Sequence, residues 1–263
     1  MSELLDILLS LADGASGHIP VFVGVFCRIS AAAFLMPGFG EPFTPIRVRL
    51  AAVFAFTIIV APTLSGDAAP FAKSPVGFFT LVGAEILTGL VIGFALRLAI
   101  IALQTAGVIA AQHLQMSQLF GPGVGHDQET PLSGILLMAA LALATANDLH
   151  IDLAAALVAS YSAIPIGAAP ASGEIAEFTA QGGGEALRTA FALATPFVLL
   201  GFAYSIALGA MNRAMPSLMA SFVGAPAILI AGLTLFAGTA SVMLDRWNDA
   251  YAALITDPFA GLR

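Results

Sequence analysis

Between Thr189 and Leu244 the sequence carries one formal charge, Arg213. Everything else in that stretch is apolar, small or uncharged. An arginine with two prolines, Pro216 and Pro226, stands in its middle, in MNRAMPSLMASFVGAP (211–226). A segment this apolar and this long is enough for two spanning helices, since one needs about 20 predominantly apolar residues. The prolines then mark where one helix must stop or bend before the next begins. Further apolar runs cover roughly residues 19–36, 48–64, 76–110, 131–147 and 153–166, and the long stretch itself divides into 189–211 and 218–244. Hydropathy alone predicts about six transmembrane helices. The fold expected is all-α: apolar helices that are kinked, interrupted and packed as in a membrane protein.

Composition points the same way. Only 10% of the 263 residues are charged and 59% are hydrophobic, against about 25% charged in a soluble domain. Water is therefore not the solvent on every side of this chain. The net charge is −7, with nine lysines and arginines scattered singly apart from the pair Arg47 and Arg49. Nucleic acid binding needs clustered cations, so that class is set aside. Cys27 is the sole cysteine, which excludes an intrachain disulfide and predicts a small buried side chain. The opening MSELLDILLSLADGASG has no basic n-region. It predicts a retained amphipathic helix.

Several charges sit deep in the apolar runs. Arg28, Glu85, Arg97 and Arg213 would each cost at least ~2.5–3.5 kcal/mol facing lipid, and become cheap only against other protein. Glu85 calls for a cation from another segment or subunit. Arg97 is not that cation, because twelve residues exceed three turns of one straight helix. Prolines 37, 62, 165, 196, 216 and 226 lie in or at the ends of the runs, where helices must bend or stop. Among the connections, PGFGEPFTPIR (37–47) is rich in turn formers. The stretch 167–186 is the most polar and predicts an aqueous excursion.

Read as a helix at about 100° per residue, the segment from Arg97 to Gln118 places Arg97, Gln104, Gln112, Gln115 and Gln118 within roughly 120°. His113 faces the other way. Such a stripe lines water or meets polar partner groups, or else is a helix end emerging into solvent. Met116, Leu119 and Phe120 then run into Gly121, Pro122 and Gly123. Bulky, deformable side chains before a tight reversal could stopper a conduit, or simply anchor a helix–loop junction. GLVIG (89–93) has the spacing that lets two helices approach closely, though the chain holds 26 glycines.

Enzyme signatures are missing from the sequence. The four histidines form no ligand spacing, and no nucleophile elbow, phosphate loop or dinucleotide fingerprint is found. No catalytic, cofactor or metal residues are assigned. A small-solute secondary transporter would suit interrupted helices with buried charges, but no inverted repeat is visible. An intramembrane enzyme would need a convergent nucleophile and base.

Five blocks in order supply a sharper expectation: FCRISAAAFLMPGFG (26–40), PIRVRLAAVFAFTIIVAP (45–62), EILTGLVIGFALRLAIIALQTAG (85–107), SAIPIG (162–167) and ALGAMNRAMPSLMASFVGAPAILIAGL (207–233). Together they resemble the FliR family, export-gate proteins of flagellar and virulence type III secretion. The resemblance implies a non-enzymatic chain assembled with FliP-like and FliQ-like subunits into a cone-shaped gate, through which unfolded rod, hook and filament subunits pass. An FlhB-like switch protein would wrap its cytoplasmic side. Residues 1–186 would mimic a FliP-like subunit and 187–263 a FliQ-like hairpin. The gate would sit in the bacterial inner membrane at the flagellar basal body, in contact with lipid, and be raised towards the periplasm. A plug loop at about 110–130 would seal it, with Met116, Leu119 and Phe120 as sealing side chains. Arg28, Arg47, Arg49, Glu85 and Arg213 would be buried charges serving assembly. Asn212, Pro216, Gly224 and Pro226 would shape the hairpin bend, Arg213 being paired with protein or facing water. Departures are Pro216-Ser217 where the family has Pro-Gln, Leu149-His150 where it has Gly-His, and the glutamine-rich QHLQMSQLF (112–120). Overall resemblance favours the flagellar branch.

Overall fold

The computed structural model describes residues 2–64, 74–115, 130–214 and 220–256, with side-chain surroundings for all of these except 2–18 and 220–223. Among the described residues every regular element is helical: α1 (Ser2–Leu35), α2 (Ile46–Val60) with a 3-10 turn (Ala61–Leu64), α3 (Pro75–His113), α4 (Pro131–Ala146), α5 (Leu149–Ala163), α6 (Ser172–Ala214) and α7 (Ala220–Thr256). The all-α expectation holds.

Local chemistry explains the ends. Pro37 follows the end of α1, and Gly38 at φ +81° turns the chain back. The Thr44 hydroxyl donates to the Gly38 carbonyl at 2.7 Å, closing that turn. Pro45, with φ −59° and ψ 138°, holds the residue before α2 extended, and Pro62 lies where α2 tightens into the 3-10 turn. The capping box of α4 is reciprocal. Its Thr130 hydroxyl accepts from the Ser133 amide at 3.3 Å, and the Ser133 hydroxyl accepts from the Thr130 amide at 3.1 Å. Each bond satisfies a donor that the helix start would otherwise orphan. Between α4 and α5 the backbone passes through Asp148 at φ +58°, a conformation aspartate tolerates better than most residues.

Helix lengths differ from the hydropathy reading. Among the described residues four helices are long and apolar enough to cross a membrane, or five if the broken pair α4 and α5 counts as one span. Against the six expected, these counts join or drop the runs at 131–147 and 153–166, short helices separated at Asn147 and Asp148, and leave out Ile19–Leu35 as a shorter apolar helix. Run 76–110 forms one 39-residue helix. The N-terminal segment is continuous with run 19–36, Pro20 lying inside one 34-residue helix. Pro196 and Pro226 also fall within helices that run on past them, whereas Pro37 and Pro165 follow helix ends. The polar stretch 167–186 is a short turn and then, from Ser172, the start of the 43-residue α6.

Contacts group the chain into two compact units interleaved in sequence. The first takes Met1–Arg97, Asp148–Gln181 and Ala253–Arg263. Its core includes Val25, Ile29 and Met36 of α1 and the turn after it, Val53 and Val60 of α2, Leu81 and Ile92 of α3, and Leu153 and Leu157 of α5. Here the GLVIG spacing has a use. A Cβ on Gly89 would collide with the Arg28 carbonyl, and one on Gly93 would lie 2.5 Å from the Ala32 carbonyl. Only hydrogen at these two positions lets α1 and α3 come so close.

The second unit takes Leu98–Asn147 and Gly182–Ala252. Trp247, the only tryptophan, is 1% exposed. It stacks on Tyr251 with centroids 5.0 Å apart, and its indole N–H donates to the Ala99 carbonyl at 3.0 Å. Phe197 of α6 meets Phe236 of α7 at 6.3 Å. Gly201 lets α6 pass His113, where a Cβ would lie 2.9 Å from the imidazole Nδ1.

Candidate functional site

Among the described residues of the first unit, the most completely bonded polar cluster is built on the two charges that looked most expensive. Arg28 and Glu85 are both fully buried. Arg28 Nε donates to Glu85 Oε2 at 2.7 Å, and Nη2 donates to Oε1 at 3.0 Å. This two-pronged geometry is the strong form of a charged hydrogen bond. The other guanidinium nitrogen, Nη1, donates to Ser160 Oγ at 3.2 Å and to the Ile164 carbonyl at 3.1 Å. The guanidinium carbon stands 3.7 Å from the centroid of the Tyr161 ring, a cation–π contact that gains from desolvation.

Glu85 is equally engaged. Its Oε2 also accepts the Tyr161 hydroxyl at 3.2 Å, and its Oε1 accepts the Gly167 amide at 2.8 Å. Gly167 has φ +79°, a conformation in which a side chain would be strained. The cluster therefore ties α1, α3, α5 and the turn after α5 through groups that leave neither charge bare. Its chemistry is structural. A carboxylate saturated by an arginine, a phenol and an amide holds helices together.

A second ion pair lies in the same unit. Arg97 Nη1 pairs with Glu41 Oε1. Glu41 is 1% exposed, while the Arg97 side chain is 23% exposed. The exclusion of a Glu85–Arg97 pair thus stands, and each residue has another partner. Arg49 Nη2 reaches the Glu41 carbonyl at 3.4 Å.

The other candidate residues are spread along the chain. Arg47 and Arg213, expected among the buried charges, are exposed on this chain, and Arg49 is half-buried. Both exposed arginines sit at helix ends, Arg47 in the first turn of α2 and Arg213 in the last turn of α6, where side chains have fewer neighbours. The helix carrying the polar stripe stops at His113, so its extension to Gln118 is corrected. Gln104 is half-buried and Gln112 exposed; Gln115 lies past the helix end at φ +54°. Cys27 is half-buried rather than buried.

Gln118 and the plug candidates Met116, Leu119, Phe120, Gly121, Pro122 and Gly123 lie outside the described residues, as does Pro216. At the proposed bend, Asn212 and Arg213 are in the last turn of α6, and Gly224 and Pro226 are already within α7. A Cβ on Gly224 would lie 2.5 Å from the Tyr204 hydroxyl, so α6 and α7 touch closely there.

Sequence reading missed Glu41, Ser160, Tyr161, Ile164 and Gly167. Ile164 and Gly167 belong to the block SAIPIG, which did mark the turn. Nothing in the spacing announces Glu41 or Tyr161 as partners.

Comparison with known proteins agrees with the motif order. A model of the family described as bacterial export proteins, family 1, matches residues 19–254. The chain is similar to the flagellar biosynthetic protein FliR of Caulobacter vibrioides, 32% identical over 233 residues that cover 88% of this chain and 92% of that protein. It is 30% identical to FliR of Escherichia coli over 213 residues, covering 80% of each. FliR of Bacillus subtilis is 29% identical over 214 residues, 79% of this chain and 81% of that one. These relatives give the small-solute transporter no support. The chain belongs to the bacterial export proteins of family 1, the family of the flagellar FliR proteins.

Proposed function

We propose that this chain is a structural component of the flagellar type III protein export gate, without catalytic activity of its own. The observation that carries the reading is a family match from residue 19 to residue 254, embracing every block of the motif series. The structure adds a physical reason for partners. Only 17% of the apolar window of α6, and the same share of that of α7, is buried within the chain. Leu199, Phe202 and Ile206 on α6 and Ile230 and Leu233 on α7 stand exposed. Large exposed apolar faces mark surfaces meant for protein or lipid.

In this reading FliP-like and FliQ-like subunits cover those faces, residues 1–186 stand in for a FliP-like subunit, and 187–263 form a FliQ-like hairpin. Unfolded flagellar subunits pass along the conduit so formed. Residues 110–130 supply a plug, the stripe of Arg97, Gln104 and Gln112 faces the lumen or a partner, and an FlhB-like protein binds the cytoplasmic side. The assembled gate is held at the basal body in the inner membrane and raised towards the periplasm.

Native mass spectrometry of the tagged chain, extracted in mild detergent from its own host, tests this. One copy accompanied by several FliP-like and FliQ-like subunits is the expected result. A lone chain or homo-oligomer, with those proteins present in the host yet missing from the complex, would overturn it.

A further inference from the structure

Three of the nine cations of this acidic chain gather at one place, the base of α2. Arg97 and Arg49 both converge on Glu41, the former on its carboxylate and the latter on its carbonyl. Arg47 is exposed in the first turn of α2. From Pro37 to Leu64 the only acidic residue is Glu41, and its buried carboxylate is already taken by Arg97. Among the described residues, neither Arg47 nor Arg49 is paired with a carboxylate. Their charge also opposes the helix, whose N-terminal end repels cations, and the first turn of α2 holds no acidic residue.

The neighbours of these arginines are apolar and uncovered. Phe43 is 54% exposed, Ile46 74%, Val48 54% and Leu50 48%. They stand at the start of a 19-residue candidate span, Ile46–Leu64, of which 22% is buried within the chain. Positions two apart on a helix leave it on different sides, so Arg47 and Arg49 form a collar around the shaft. An acidic protein segment would approach such a collar from one side. A lipid layer would surround it, and one lipid molecule would supply both an anion for the guanidinium and acyl chain for the apolar side chains beside it.

We propose that the base of α2 seats anionic phospholipid headgroups, whose phosphates are bound by Arg47 and Arg49 while Phe43, Ile46, Val48 and Leu50 meet the acyl region. Juxtamembrane cations attract anionic lipid through this same pairing. The site stands apart from the export-gate reading and survives or fails without it.

The test is native mass spectrometry of the full chain, with whatever subunits co-purify, titrated in detergent with phosphatidylglycerol or with phosphatidylcholine. Phosphatidylglycerol should bind more tightly. Arg47→Gln should weaken it roughly fivefold and Arg47→Gln with Arg49→Gln by about 30-fold, without changing phosphatidylcholine binding. Arg188→Gln, at an exposed arginine elsewhere, should change neither. Should the double variant not fold, Arg47→Gln decides alone, because its side chain is already exposed. Equal binding of the two lipids overturns the proposal, as does an unaltered phosphatidylglycerol affinity in Arg47→Gln. Full competition by inorganic phosphate would reassign the site to a free anion. Loss of a co-purifying protein from the variant, with lipid retention intact, would reassign it to a protein partner.

Discussion

Replacing Arg28 by methionine removes the cation from a fully buried pair while filling much of its volume. Glu85 would keep the Tyr161 hydroxyl and the Gly167 amide but lose both guanidinium bonds, leaving a carboxylate with no exposure and no counter-charge. Breaking a buried pair from one side costs about 3–5 kcal/mol. A chain of this size shifts its Tm by about 2–4 °C per kcal/mol, so the loss corresponds to roughly 6–20 °C. Glu85→Gln strands the guanidinium instead and should fall in the same range. The double variant Arg28→Met with Glu85→Gln holds no buried charge, and its glutamine carbonyl can still accept the Gly167 amide. It should be milder than the sum of the singles by up to ~3 kcal/mol, as expected for residues in one network. The half-buried Cys27 is the sole thiol and adjoins Arg28, which makes the assay direct. Thermal unfolding in detergent is followed by reaction of Cys27 with a thiol-reactive fluorophore. A Tm loss below about 3 °C in Arg28→Met, or a double variant as unstable as the summed singles, would refute the lock.

Other outcomes can be checked alongside. Gly89→Leu should abolish the close approach of α1 and α3 and cost at least ~1–3 kcal/mol, seen as aggregation in size-exclusion chromatography; a monodisperse, equally stable variant counts against that packing. Trp247 should emit at short wavelength, and Trp247→Phe should lose about 1 kcal/mol with its hydrogen bond to Ala99, measured by circular dichroism melting. Arg213→Leu should reduce gate assembly more than membrane insertion, and normal complex yield would remove it from the assembly contacts. Deleting residues 117–125 should make an assembled gate leak ions; unchanged permeability in liposomes would move the plug elsewhere.

Much is legible in the amino-acid sequence. The helical class follows from apolar runs of spanning length, and the family follows from the order of five blocks. Arg28 and Glu85 can be identified as charges in need of protein. Their pairing cannot, because 57 residues separate them and their further partners come from 76 to 136 residues away. Periodicity describes one helix at a time and carries no information about which helix lies opposite. GLVIG shows the same limit: one spacing among 26 glycines acquires meaning only once the Arg28 and Ala32 carbonyls are found against it.

What the sequence determined by itself is the solvent and the repertoire: too few charges for water on all sides, helices as the regular structure, and costly arginines and glutamates that require neighbours. Tertiary structure decided the neighbours. It joined Glu85 to Arg28 and Arg97 to Glu41, carried helices through Pro196 and Pro226, ended α3 at His113 and left Arg47 and Arg213 exposed. The reason is the short range of the interactions. Hydrogen bonds and buried ion pairs act over about 3 Å, so they depend on which distant segments touch, whereas hydropathy is a sum over local residues and survives any arrangement of them.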